Sequence, residues 1–250
     1  MIPLESVADE MLTSRLPLAF RWNEPGHPLP MKVIRAPARM GLNGLGLASP
    51  PWLPSGPSNQ PFDFCQSVAG LCGDIASRCD ALRHVDVGRL LFGVTQARSG
   101  RAHGLQARVT PLRFRDGQLT RRRRDTIYQV QRYFVGGQEF LYLLTFCLPR
   151  FLDQEFDDKF VTLFHELYHI HPACNGDLRR HSGRYAIHSR SQRLYDQQMA
   201  GLAREYLGGG PDPSLHAFLR LNFAQLQERH GSVVGVVVPR PKLVPVCRKK

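Results

Sequence analysis

Between residues 153 and 171 the chain alternates in a way that one secondary structure explains. Phe156, Phe160, Leu163, Phe164, Leu167 and Ile170 recur three and four positions apart, with no glycine or proline among them. That spacing puts a single apolar stripe on a helix. Asp153, Glu155, Asp157 and Asp158 crowd its beginning, where the exposed N–H groups favour negative charge, and Pro172 is expected to stop it. The same periodicity returns from Phe62 to Arg83, where Phe64, Val68, Leu71, Ile75 and Leu82 share a stripe. It also predicts helices over Ser191 to Leu207, with Leu194, Tyr195, Met199, Leu202 and Tyr206 on one face, and over Ser214 to Arg229.

Alternation with period two marks the strands. Arg89 to Thr95 is a first strand, and Leu105 to Phe114 a second, which Pro111 places near an edge. Ile127 to Val135 alternates again, and Gly136-Gly137 then stands before the apolar run Phe140 to Phe146, the signal of a hairpin whose later strand is covered on both faces. Ser232 to Val238 is a further strand. A short amphipathic helix is expected within residues 1 to 20. Residues 23 to 61 carry so many prolines and glycines that little regular structure is expected there. The predicted organisation is an N-terminal segment and Pro/Gly-rich arm over 1–61, an α+β domain over 62–238 and a basic tail over 239–250.

Composition adds a setting. With 42% hydrophobic and 22% charged residues, and no apolar run long enough to cross a bilayer, the chain has the composition of a soluble protein without a membrane partner. The start does not resemble a secretory signal, because Glu5, Asp9 and Glu10 precede any hydrophobic stretch. Cys65, Cys72 and Cys79 are seven apart, which makes them small buried residues on one helix face rather than a disulfide framework. A cytoplasmic location is the simplest reading. The net charge of +12 is concentrated in Arg121 to Arg124 and the arginines around them, and again in Arg179, Arg180, Arg184, Arg190 and Arg193. Clustered arginine suits DNA or another polyanion, and a plain solvated surface in an arginine-rich proteome is the alternative.

The predicted helix ends in His165-Glu166-Leu167-Tyr168-His169. Side chains four apart on a helix share a face, so both imidazoles can reach one ion, and Zn2+ is the ion that such nitrogen ligands suit. Glu166 stands beside the first ligand, where it can accept the proton of a water that the cation acidifies. A chance match on a solvated helix is the alternative. Apolar residues at both variable positions argue against it.

The stretch Phe160 to Ile170 resembles the metal-binding helix of the zincin metallopeptidases. The order of strands and then helix is similar to the SprT-like, Wss1-like and phage metallopeptidase families over about residues 85 to 205. No glycine and third histidine follow at the short metzincin spacing, and His171 stands where these motifs carry an apolar residue. The resemblance implies a zincin-like α+β fold, a zinc metallopeptidase activity, and a strand between Arg89 and Phe146 that receives an extended polypeptide. Within the SprT-like group it also implies substrates associated with nucleic acid.

A catalytic zinc needs a third protein ligand. His188 is preferred, because it ends the run Arg184 to Ile187 just before a helix capped by Ser189 or Ser191, the place of the third histidine in SprT-like proteins. His181, Asp177 and Glu205 remain alternatives, and His171 points to another face. Asn175-Gly176-Asp177 reads as a surface turn, with Asp177 alternatively orienting a ligand histidine. Tyr185 and Tyr195 are candidate oxyanion donors or simply packed rings. The expected function is hydrolysis of peptide bonds with His165, His169 and His188 on zinc and Glu166 as general base. A non-catalytic binding or sensing module on the same fold is the competing class, and a metal-dependent amidase acting on a non-peptide substrate is a second enzymatic one. The oligomeric state is not legible.

Overall fold

The computed structural model describes residues 31–34, 60–97, 104–135, 137–180 and 192–248. The helix expected within residues 1 to 20, and His181, Tyr185 and His188, lie outside them.

In chain order the strands and helices are β1 (Met31–Ile34), β2 (Phe62–Asp63), α1 (Phe64–Arg78), β3 (Leu90–Gln96), β4 (Ala107–Pro111), β5 (Thr120–Arg123), β6 (Thr126–Val130), β7 (Tyr133–Val135), β8 (Gln138–Phe140), β9 (Tyr142–Leu148), α2 (Phe156–Tyr168), α3 (Gln192–Gly208), α4 (Pro213–His216), α5 (Phe223–His230), β10 (Val233–Val236) and β11 (Leu243–Arg248). The architecture is mixed α+β with several small sheets, and no helix among the described residues is long and apolar enough to cross a membrane.

The sheet beside α2 has the order β3-β9-β4. β9 runs parallel to β3, from Leu90 opposite Tyr142 to Gln96 opposite Leu148, and antiparallel to β4, from Ala107 opposite Phe146 to Pro111 opposite Tyr142. Every residue of β9 is buried, as a continuous apolar run requires. Phe146 meets Phe64 of α1 edge-on at 5.2 Å and Phe151 at 4.8 Å, so α1 seals one side of the sheet. The predicted α1 stripe of Phe64, Val68, Leu71 and Ile75 is fully buried, Cys65, Cys72 and Cys79 are buried free thiols, and Asp63 caps the helix by accepting from the Gln66 N–H.

α2 begins at an N-cap Glu155 with Asp157 and Asp158 in its first turn. Lys159 is buried, and its ammonium donates to the carbonyls of Leu219 and Leu221 at 2.7 and 3.0 Å, which ties the helix to the turn after α4. Phe160 and Phe164 both contact Tyr206 of α3, at 6.0 and 6.1 Å between ring centres. The helix ends at Tyr168, ahead of Pro172. The chain doubles back first: Ile170 bridges Leu178, and the Arg179 N–H donates to the His169 carbonyl at 2.7 Å.

Several expectations are corrected. Residues 127 to 135 form two strands in different sheets, because β6 pairs with β5 and β11 while β7 pairs with β8. The hairpin at Gly136-Gly137 therefore joins β7 to β8, and the apolar run of β9 belongs to the sheet beside α2. Alternation reports which face is covered and leaves the hydrogen-bonding partner open. The helix expected over Ser214 to Arg229 is broken into α4, a 3-10 turn and α5, since Asn222 and Gln225 form a capping box that starts a new helix. Leu194 points to solvent at 66% exposure, off the buried stripe of α3. The Pro/Gly-rich arm, where little regular structure is expected, holds β1, which pairs with β10, and the basic tail holds β11, which pairs with β6.

The approach of β10 to β3 depends on glycine. A Cβ on Gly235 would stand 2.7 Å from Val94 Cγ2, and one on Gly93 would meet the Val236 carbonyl at 3.3 Å. Gly235→Val is expected to lower the unfolding free energy by about 1–3 kcal/mol, the range for overpacking, in chemical denaturation of the full chain. An unchanged midpoint would contradict this packing.

Candidate metal centre

The last turn of α2 aims two imidazoles at one point. His165 Nε2 and His169 Nε2 are 3.0 Å apart, with ring centres at 4.7 Å. Two nitrogens bound at 2.0–2.1 Å to one tetrahedral ion stand about 3.3 Å apart, so the pair fits a shared cation with a small adjustment. Without an ion, one ring donates its N–H to the other. The Asp196 carboxylate lies 3.8 Å from His165 Nδ1, on the side away from His169, where ligand histidines commonly face an acceptor.

Glu166 leaves the helix toward β4. It is buried, and its carboxylate accepts the Val109 backbone N–H at 2.6 Å. Burial pushes its carboxyl up to about 7, against the downward pull of that hydrogen bond and of the Arg108 charge. The helix turn that aims the histidines thus also seats a carboxyl on the edge strand, with a proton affinity near neutrality.

Tyr195 closes the other side. Its ring stacks on His169 at 5.8 Å with a 20° tilt and meets His165 edge-on at 4.9 Å and Tyr168 at 5.8 Å. The tyrosine is buried, and burial raises its phenol well above the ordinary value. The hydrophobic stripe of α3 contains this residue, and the periodicity alone could not separate a ring that packs on the core from one that packs on two histidines.

The other predicted residues divide. Among the described residues no third His, Cys, Asp or Glu joins His165 and His169, so neither Asp177 nor Glu205 is brought to the pair. His171 Nδ1 instead accepts the Ala173 N–H. Asp177 is a correction to the expected surface turn: it is 3% exposed, and its carboxylate accepts from the backbones of Asp116 and Leu178 and from Arg180. Its carbonyl accepts from the Tyr142 hydroxyl at 2.8 Å, so this turn is fastened to β9 and holds the chain that follows the motif. Sequence reasoning missed the Val109 N–H and Arg179, since a backbone donor leaves no mark on residue type and the arginine is one of many.

No family model, no curated protein and no solved structure matches this chain.

Glu166→Ala is expected to strand the buried Val109 N–H and lower stability by about 1–3 kcal/mol, whereas Glu166→Gln keeps an oxygen acceptor there. With chelator present, the wild-type chain should lose stability relative to Glu166→Gln as pH rises from about 4.3, the unfolded carboxyl value, through about 7. The sign follows from a folded value above the unfolded one: the native state holds the proton more tightly in that window and must bury a bare carboxylate above it. Parallel pH profiles of the two proteins in thermal unfolding would contradict the burial.

Proposed function

We propose that the chain is a zincin-like metallopeptidase that hydrolyses peptide bonds in polypeptides. The observation that carries this reading is the convergence of His165 Nε2 and His169 Nε2 beside a buried Glu166 that is anchored on an edge strand. The donor set suits zinc, with His165 and His169 as ligands and His188 as the third by the sequence argument; His181 or a carboxylate is the alternative. Zinc bound there would supply a Lewis acid for the scissile carbonyl and for water. Glu166 takes a proton from the attacking water and delivers it to the leaving amine. Tyr195 packs against both imidazoles. β4 is the edge of its sheet and the strand that touches Glu166, which supports it as the strand beside which an extended peptide is added. The free thiols at Cys65, Cys72, Cys79, Cys147 and Cys174 support a reducing, cytoplasmic setting.

Glu166→Gln is expected to retain stoichiometric zinc while its hydrolysis of an unfolded protein such as denatured casein falls by at least about 100-fold, the lower range for a general base. Hydrolysis at the wild-type rate would discard the mechanism. Stoichiometric zinc in an inactive wild-type chain would favour the binding or sensing module.

A second reading, action on nucleic-acid-associated proteins, is favoured by one observation. Arg121, Arg122 and Arg123 are exposed along β5, Arg124 follows in the turn to β6 with φ 54, and β11 brings the Arg248 backbone opposite Thr126. Phosphate contacts by these arginines predict duplex DNA binding that weakens about tenfold or more between 50 and 200 mM salt. Fluorescence anisotropy showing no binding, or binding indifferent to salt, would remove this reading.

A further inference from the structure

Where the chain leaves α2, a cleft of about 400 Å3 opens, lined by Asp116, Tyr168, His171, Asp177, Arg179 and Arg180. A volume of this order suits a small ligand or one substrate side chain. Its charges do not all cancel internally. Arg180 is paired with Asp177 at 3.1 Å, and the Asp116 carboxylate lies 3.7 Å from Arg115. That leaves Arg179.

Among the described residues Arg179 is held in place without a counter-charge. Its backbone N–H is bonded to the His169 carbonyl. Its guanidinium carbon sits 4.0 Å over the Tyr168 ring, and Nη2 lies 3.2 Å from His84 Nε2. Neither neighbour offsets a full positive charge. Among the described residues no carboxylate pairs with it, and its Nε is buried without a hydrogen-bond partner. A partly desolvated guanidinium in that state has a strong residual demand for a planar anion that can accept two parallel N–H bonds.

The cleft is linked to the histidines through a chain of ring contacts. Tyr168, which carries the Arg179 stack, packs on Tyr195, and Tyr195 stacks on His169. An anion on Arg179 would therefore be separated from the His165–His169 pair by two aromatic side chains, Tyr168 and Tyr195.

We propose that Arg179 selects substrates by binding a carboxylate of the polypeptide near the bond to be cleaved. The polypeptide nature of the ligand rests on the peptidase reading; the carboxylate rests on Arg179 itself. An Asp or Glu side chain and a free chain terminus offer the same chemistry, and the experiment separates them.

Three fluorescein-labelled random octapeptide pools serve as probes: one with a fixed Glu and an amidated C-terminus, one with Gln in its place, and one with Gln and a free C-terminal carboxylate. Binding is read by anisotropy on the zinc-loaded full chain carrying Glu166→Gln, which prevents turnover, and cleavage on the chain with Glu166 intact. Either carboxylate pool is expected to bind roughly tenfold more tightly than the neutral pool, the scale of one charge-assisted hydrogen-bonded contact. Adding Arg179→Met should remove the difference, and adding Arg179→Lys should leave an intermediate one, since the charge remains and the fork is lost. Thermal unfolding establishes that the Met variant is folded, and the Lys variant carries the test if it is not. Equal binding of the three pools, or discrimination unchanged by either substitution, overturns the proposal. Discrimination without any cleavage upholds the subsite and sinks the peptidase reading, while cleavage without discrimination does the reverse.

Discussion

The arrangement turns on one hydrogen bond, from the Val109 N–H of β4 to the Glu166 carboxylate of α2. It fixes how the helix lies along the edge of its sheet. Because Glu166 sits between His165 and His169 in the same helical turn, fixing its direction fixes theirs. The bond also satisfies a carboxyl that burial would otherwise strand, and a buried polar group left unpaired costs about 1–3 kcal/mol. The donor that lets Glu166 be buried belongs to β4, the strand proposed to receive the substrate.

Around that seam the molecule is built to keep the last turn of α2 still. Lys159 ties the beginning of the helix to the carbonyls of Leu219 and Leu221, and Phe160 and Phe164 pack on Tyr206. Beyond its end, Asp177 and the Tyr142 hydroxyl bind the returning turn to the sheet, and Arg179 closes on His169. These restraints leave the two imidazoles little freedom to part. A site whose geometry is held before a ligand arrives loses less entropy on binding it, which is how these contacts would serve the proposed metal site.

Much of this was legible in the residues. The stripe from Phe156 to Ile170 specified α2, and the apolar run at 140–146 specified a doubly covered strand, found two residues later at 142–148, because each pattern follows from what an element must bury. Partnership was not legible. Nothing in the alternation of Ile127 to Val135 says that the chain changes sheets at Gln131, and the strand at Leu243–Arg248 is visible only once β6 offers it an edge. The site divides in the same way. His165, Glu166 and His169 announce themselves by spacing, whereas Asp177 looked like an ordinary turn residue until its carboxylate was seen to collect two backbone N–H groups and an arginine.

The central claim is that His165 and His169 hold one zinc ion between them. X-ray absorption at the zinc edge of the purified, zinc-loaded chain tests it most directly. The account predicts a first shell of nitrogen or oxygen at about 2.0–2.1 Å with the outer scattering of at least two imidazoles, lost together in His165→Ala and His169→Ala. A shell dominated by sulfur at about 2.3 Å, or a spectrum that those substitutions leave unchanged, would contradict it.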